Sequence, residues 1–109
     1  MKMVTAIVNK KDTGSVCKAL TDSGVEFTRL ATTGGFLRAG NTTLLIGVEE
    51  ERLELTLELI RKNCARRMEK VPATTSIDSQ IAMNNARVIE VMVGGAIVFV
   101  NDVTYFEKM

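Results

Sequence analysis

The residues best suited to chemistry stand together in Ala31-Thr32-Thr33-Gly34-Gly35-Phe36-Leu37-Arg38-Ala39-Gly40-Asn41-Thr42-Thr43. This block is dense in glycine, hydroxyl and amide groups, with one aromatic and one arginine among them. Its three glycines permit positive φ and let a ligand or another chain come close to the backbone. Successive N–H groups in a tight turn form a concavity suited to phosphate oxygens, and Arg38 adds a forked cation beside them. Phe36 is the odd member. In so small and polar a setting the ring is either a plug into a neighbouring core or a platform on which a planar ligand stacks. A glycine-rich hairpin connection accounts for the same composition without any ligand.

The bulk composition narrows the chemistry. A chain of 109 residues, 46% hydrophobic and 25% charged, is expected to fold as one domain around one core. With 14 Lys and Arg against 13 Asp and Glu, the net charge of +1 supplies no overall field for nucleic acid or an anionic membrane, so any phosphate site must be local. There is no histidine, and Cys17 and Cys64 lack a metal-ligand spacing, which argues against zinc. Absent histidine also removes the usual general base. An enzyme would have to use Cys64 or the Thr32 and Thr33 hydroxyls as nucleophile with nothing to activate them, so a non-enzymatic role without a cofactor is expected. The opening Met1 to Val8 is too short for a signal peptide or a span and runs into polar Asn9-Lys10-Lys11-Asp12, which places the protein in the cytoplasm.

The elements that would position the block can be read from periodicity. Met3 to Val8, broken only by Thr5, predicts a strand covered on both faces. Asp12 or Thr13 can cap a helix carrying Val16, Ala19 and Leu20 that stops at Gly24, with Cys17 beside its apolar stripe as a buried thiol. Val25 to Leu30 alternates as a strand into the block, and Thr42 to Val48 leaves it as an antiparallel neighbour, with Gly47 marking a bulge or a close approach. Leu53, Leu57, Ile60 and Cys64 predict a helix over 49–63, acidic at its start and basic at its end. Leu55 and Leu59 fall on another face and suggest either a subunit contact or a third apolar layer. From Ala65 to about Arg87 the pattern dissolves, predicting a long loop whose Arg66, Arg67 and Lys70 could meet phosphate. Val88 to Val93 and Ala96 to Val100 read as two strands about Gly94-Gly95, and Val103 to Phe106 as a final helical turn.

The resulting order, β-α-β-β-α-β with an extra strand late, predicts an α+β, ferredoxin-like split βαβ fold: an antiparallel sheet with two helices on one face. Apolar residues on both faces of the first and fifth strands imply that the other face is also covered, most simply by another copy of the chain.

The Met-Lys-Met start, the block from Leu30 to Thr43, and Val93-Gly94-Gly95-Ala96-x-Val98-Phe99-Val100 resemble the PII-like cyclic di-AMP receptors of Gram-positive bacteria, the PstA/DarA family, from end to end. The resemblance implies a signal-transduction homotrimer with one cyclic di-AMP in each cleft between subunits and a downstream protein partner that reads loop rearrangement. The block corresponds to the family's T-loop, about 33–41, and the later tract, about 65–87, to its B-loop. It further implies that Thr28 and Asn41 hydrogen-bond adenine or nearby ligand atoms, that Gly35, Phe36 and Leu37 line the nucleotide pocket, and that Gly47 admits a base close to the backbone. Where these receptors carry asparagine and arginine, this chain has Gly24 and Glu26. An anion replacing a cation beside two phosphates is on the order of kcal/mol at a few ångströms, so a trimer that has lost cyclic di-AMP and senses another ligand, or only a protein, is the alternative. Near the C-terminus Lys108 stands where a glutamine is frequent, and either restores positive charge or faces solvent.

Overall fold

A computed structural model describes residues 1–32, 40–72 and 88–109. Among the described residues eight elements are formed: β1 (Lys2–Asn9), α1 (Thr13–Asp22), β2 (Thr28–Thr32), β3 (Asn41–Val48), α2 (Glu50–Cys64), β4 (Arg67–Pro72), β5 (Val88–Val93) and β6 (Ala96–Asp102). Four strands make an antiparallel sheet in the order β2-β3-β1-β6, and β4 and β5 make a separate two-stranded sheet. This is the ferredoxin-like plan, with a hairpin inserted between the second helix and the last sheet strand.

The sheet alternates because β1 does. Val4, Ala6 and Val8 are fully buried and lie opposite Ile46, Leu44 and Thr42 of β3, whereas Met3, Thr5, Ile7 and Asn9 are half-buried on the other face. The inward set packs with Val16 and Leu20 of α1 and Ile60 and Cys64 of α2 into one core, so both helices cover the same face. Each Val, Leu or Ile side chain so removed from water contributes about 1.5–3 kcal/mol.

Local chemistry sets the ends of α1. Asn9 organises the turn into it: its carbonyl accepts the Asp12 N–H at 2.9 Å and its side chain the Lys11 N–H at 2.9 Å. At the far end the Gly24 N–H reaches the Thr21 carbonyl and the Val25 N–H the Leu20 carbonyl, with Gly24 at φ +73°. That pair of bonds is a Schellman stop, which needs a left-handed residue. Arg52 of α2 then donates to the Ser23 and Gly24 carbonyls, tying the two helices together.

Several expectations are corrected. The strand read over Val25 to Leu30 begins only at Thr28, because Val25 and Phe27 turn into the core as the chain leaves the helix stop. Gly47 makes no bulge, since the β1–β3 register runs through it without interruption. The tract read as loop from Ala65 carries β4, whose polar sequence shows no apolar alternation and is held extended by pairing with β5. Val88–Val93 and Ala96–Asp102 do not pair about Gly94-Gly95: one joins β4 and the other joins β1. Val103 to Phe106 forms no helical turn. Leu59 contributes to the core, whereas Leu55 stays exposed, so the two leucines are not equivalent. The stretches 33–39 and 73–87, which hold most of both expected loops, lie outside the described residues.

Candidate functional site

Strand parity places the candidate residues. On β2 the register sets Thr28 opposite Leu45, Leu30 opposite Thr43 and Thr32 opposite Asn41, and every one of these points away from the helices. Gly47 shares that face, next to Leu45 along β3 and diagonal to Thr28 at about 7–8 Å. Thr28, Asn41 and Gly47 are therefore brought onto one helix-free surface. Gly35, Phe36 and Leu37 lie outside the described residues.

The floor of this surface is apolar with a hydroxyl rim. Leu30 is 40% exposed and Leu45 half-buried, with Ile7 and Phe99 of β1 and β6 continuing the same face. At the end nearest the glycine-rich block, Thr32 Oγ1 donates to Asn41 Oδ1 and lies 2.8 Å from Thr43 Oγ1. Asn41, only 9% exposed, is thereby held in one orientation as it enters β3. Gly47 is bare: a Cβ there would meet only Met1 Sδ, at 3.9 Å. Among the described residues of this sheet face there is no lysine or arginine. What it can do by itself is hold a flat, uncharged group against the sheet and offer hydroxyls and an amide to its edge. Phosphates on the same ligand need donors from elsewhere.

One concavity adjoins the surface and a second lies at the turn into β2. The first, of about 330 Å³, is lined by Lys10, Thr13, Arg29, Ala31, Thr32, Gly40, Asn41 and Thr42, and so shares Thr32 and Asn41 with the open face while adding two cations. The other, of about 540 Å³, is lined by Thr21, Gly24, Val25, Glu26 and Phe27. Gly24 and Glu26, the positions where the chain departs from the receptors it resembles, thus share one hollow, and Glu26 is exposed at its wall.

Other candidates do not converge here. Arg67 is engaged by Asp12 at 2.8 Å and Glu69 at 3.5 Å, so it is a structural cation. Arg66 and Lys70 are exposed near the root of the hairpin. Burial pushes the Cys64 thiol up to about 11, the negative charge of Asp12 acting in the same direction and Arg67 against it. Burial also raises Cys17, with Arg29 opposing. Both thiols stay protonated at neutral pH, the opposite of an activated nucleophile. Among the described residues no three His, Cys, Asp or Glu side chains gather as a metal site, and no helix is long and apolar enough to cross a membrane.

Lys10 and Arg29 were not legible as site neighbours, since nothing in their local sequence distinguishes them from solvated charges. The threonines were more accessible: Thr32 and Thr43 flank the block at positions that antiparallel pairing must bring together.

The comparisons concern the fold and the family. A crystal structure described as that of a functionally unknown protein from Pediococcus pentosaceus ATCC 25745 matches with a TM-score of 0.78 at 42% sequence identity, over 99% of this chain and 96% of that one. Residues 1–109 match the family described as "Cyclic-di-AMP receptor". Over its whole length, the chain belongs to the cyclic-di-AMP receptor family.

Proposed function

We propose that this protein is a non-enzymatic cytoplasmic sensor, a single PII-like domain that forms a homotrimer and binds cyclic di-AMP in the clefts between its subunits. Family membership supports the ligand class. The observation that carries the site is that Thr28, Asn41 and Gly47 share the open face of the β2–β3 pair, with Thr28 and Gly47 near one end and Asn41 at the other. One adenine lies against Gly47 and Leu45 with its edge toward Thr28, Asn41 orients the nucleotide at the other end, and Gly35, Phe36 and Leu37 contribute to the lining of the pocket. The phosphates take N–H groups of the block and cations that the open face lacks, from Arg38, from Lys10 and Arg29 beyond Asn41, or from Lys108 of a second copy. The apolar patch of Leu30, Phe99 and the half-buried Ile7 favours self-association, which would bury it. Bound ligand changes the two loops, and a protein partner reads that change.

Titration calorimetry with cyclic di-AMP tests the ligand, and sedimentation tests the assembly. Binding with one nucleotide per subunit and a species of three times 11.9 kDa are expected. No heat up to about 100 μM overturns the ligand assignment, and a monomer overturns the trimer.

A second reading is favoured by Glu26, an exposed anion in the hollow it shares with Gly24. In it the trimer has lost cyclic di-AMP and responds to another ligand or only to a protein. Glu26→Arg separates the two, because an unchanged cyclic di-AMP affinity in that variant removes the reason for the second reading.

A further inference from the structure

The β4–β5 hairpin leaves the body through two crossing links, Ala65-Arg66 on the way out and Gly94-Gly95 on the way back. They are in close contact. The Gly95 N–H donates to the Cys64 carbonyl, and a Cβ at Gly94 would stand 2.8 Å from the Ala65 carbonyl oxygen, 2.8 Å from Arg67 Nη1 and 3.1 Å from Asp12 Oδ2. Beyond the crossing the hairpin packs little on the body, and Met68, Met92, Val88 and Ile89 are exposed. A two-stranded hairpin alone is marginal in water, so its direction must be set at its root.

At that root the turn before α1 holds it by two ion pairs. Asp12, 3% exposed, binds Arg67 Nη2 through Oδ1 at 2.8 Å, and Lys11 reaches Glu69 at 3.3 Å. Asp12 stands at the N-cap of α1 but makes no side-chain cap bond, so its carboxylate serves the hairpin rather than its own helix. The residues on either side face elsewhere. Lys10 and Thr13 line the groove shared with Thr32 and Asn41, and the Lys10 N–H donates to the Gly40 carbonyl at 3.3 Å, where the glycine-rich block rejoins the sheet.

We propose that the turn Lys10–Thr13 couples the glycine-rich block to the β4–β5 hairpin, with the half-buried Asp12–Arg67 pair as the clamp that sets the hairpin's direction. Of four consecutive residues the inner two, Lys11 and Asp12, hold the hairpin and the outer two, Lys10 and Thr13, line the groove at the block, so displacement at Gly40 and reorientation of the hairpin move the same backbone. Coupling of this kind is reciprocal: whatever loosens the clamp alters the block, and a ligand at the block alters the clamp. The ligand limb rests on the function proposed above, whereas the clamp does not.

Amide hydrogen exchange on the full chain tests it, with Asp12→Asn as an isosteric break and Arg67→Gln as a break from the more exposed partner. In the absence of ligand, both variants should exchange about tenfold faster at β4, β5 and the Gly95 amide, and faster also at the Lys10 amide, with no further change in the double variant. Cyclic di-AMP should alter hairpin exchange in the parent and not in the variants. Hairpin exchange at the parent rate in both variants overturns the clamp. A fast hairpin with an unchanged Lys10 amide overturns the coupling, as does a ligand response that survives both substitutions. If the parent fails to bind cyclic di-AMP, the proposed function falls while the ligand-free comparison still decides the clamp.

Discussion

Replacing Gly47 separates its role in the sheet from its role toward a ligand. A Cβ there meets only Met1 Sδ at 3.9 Å, ordinary contact with the end of a flexible side chain, and the residue lies in register opposite Met3. The fold should therefore accept Gly47→Ala and Gly47→Val, and gain about 0.5–1 kcal/mol because glycine is the costlier residue inside a strand. The ligand should not accept them. A purine laid on this backbone covers roughly 60 Å² of apolar surface, about 1.5 kcal/mol at ~25 cal/mol per Å². A valine wedge that lifts the base also loses its dispersion contacts with Leu45, bringing the loss to about 1.5–3 kcal/mol, or roughly 10–150-fold in Kd. Gly47→Ala should fall between parent and Gly47→Val. Cyclic di-AMP titration read beside urea unfolding measures both halves. Unchanged affinity in a well-folded Gly47→Val protein would refute the placement of a base at Gly47. A loss of more than about 1 kcal/mol of stability would refute the reasoning from open space instead.

The remaining expectations concern the scaffold. Because the Cys64 thiol is raised to about 11 from 9.0, the native state keeps a proton that the unfolded chain gives up. The contribution of that group is intact below pH 9 and is lost as pH climbs toward 11, by about 2–3 kcal/mol at most, so the difference in unfolding free energy between parent and Cys64→Ala should shrink over that window. An unchanged difference would count against the burial argument. Gly94→Ala combines a φ of +83° with a 2.8 Å approach to the Ala65 carbonyl oxygen, and should cost about 2–4 kcal/mol in denaturant unfolding. Gly14→Ala, a helical position with nothing within 4 Å of the added Cβ, should instead stabilise by about 0.5–1 kcal/mol. Leu44→Ala, removing a fully buried side chain from the central strand pair, should cost about 2–5 kcal/mol with the unfolding m-value preserved.

Much of this was legible from residue order. The alternation of Met3 to Val8, the Gly24 stop, and the stripe Leu53, Leu57, Ile60 and Cys64 each report a local period, and a local period suffices to name an element and its buried face. The same holds for Thr42 to Val48, and the parity of that strand already puts Gly47 with Thr43 rather than with Leu44. What escaped was pairing. β4 has the polar composition of a loop and becomes a strand only because Glu69 and Lys70 lie opposite Val91 and Glu90. Val88–Val93 and Ala96–Val100 look like a hairpin about two glycines, yet Gly94 and Gly95, both at positive φ, pass the chain from one sheet to the other.

By itself, the sequence determined the ferredoxin-like element order, the composition of the glycine-rich block and the family, since these follow from periodicity and from residue identity. The tertiary structure alone decided that Thr28, Asn41 and Gly47 share an uncovered face without a cation among its described residues, that Lys10 and Arg29 flank it, and that Asp12 is spent on Arg67 rather than on capping its helix. Asp12 and Arg67 stand 55 positions apart, and no local period carries information about which side chains meet once two links of the chain cross at Gly94.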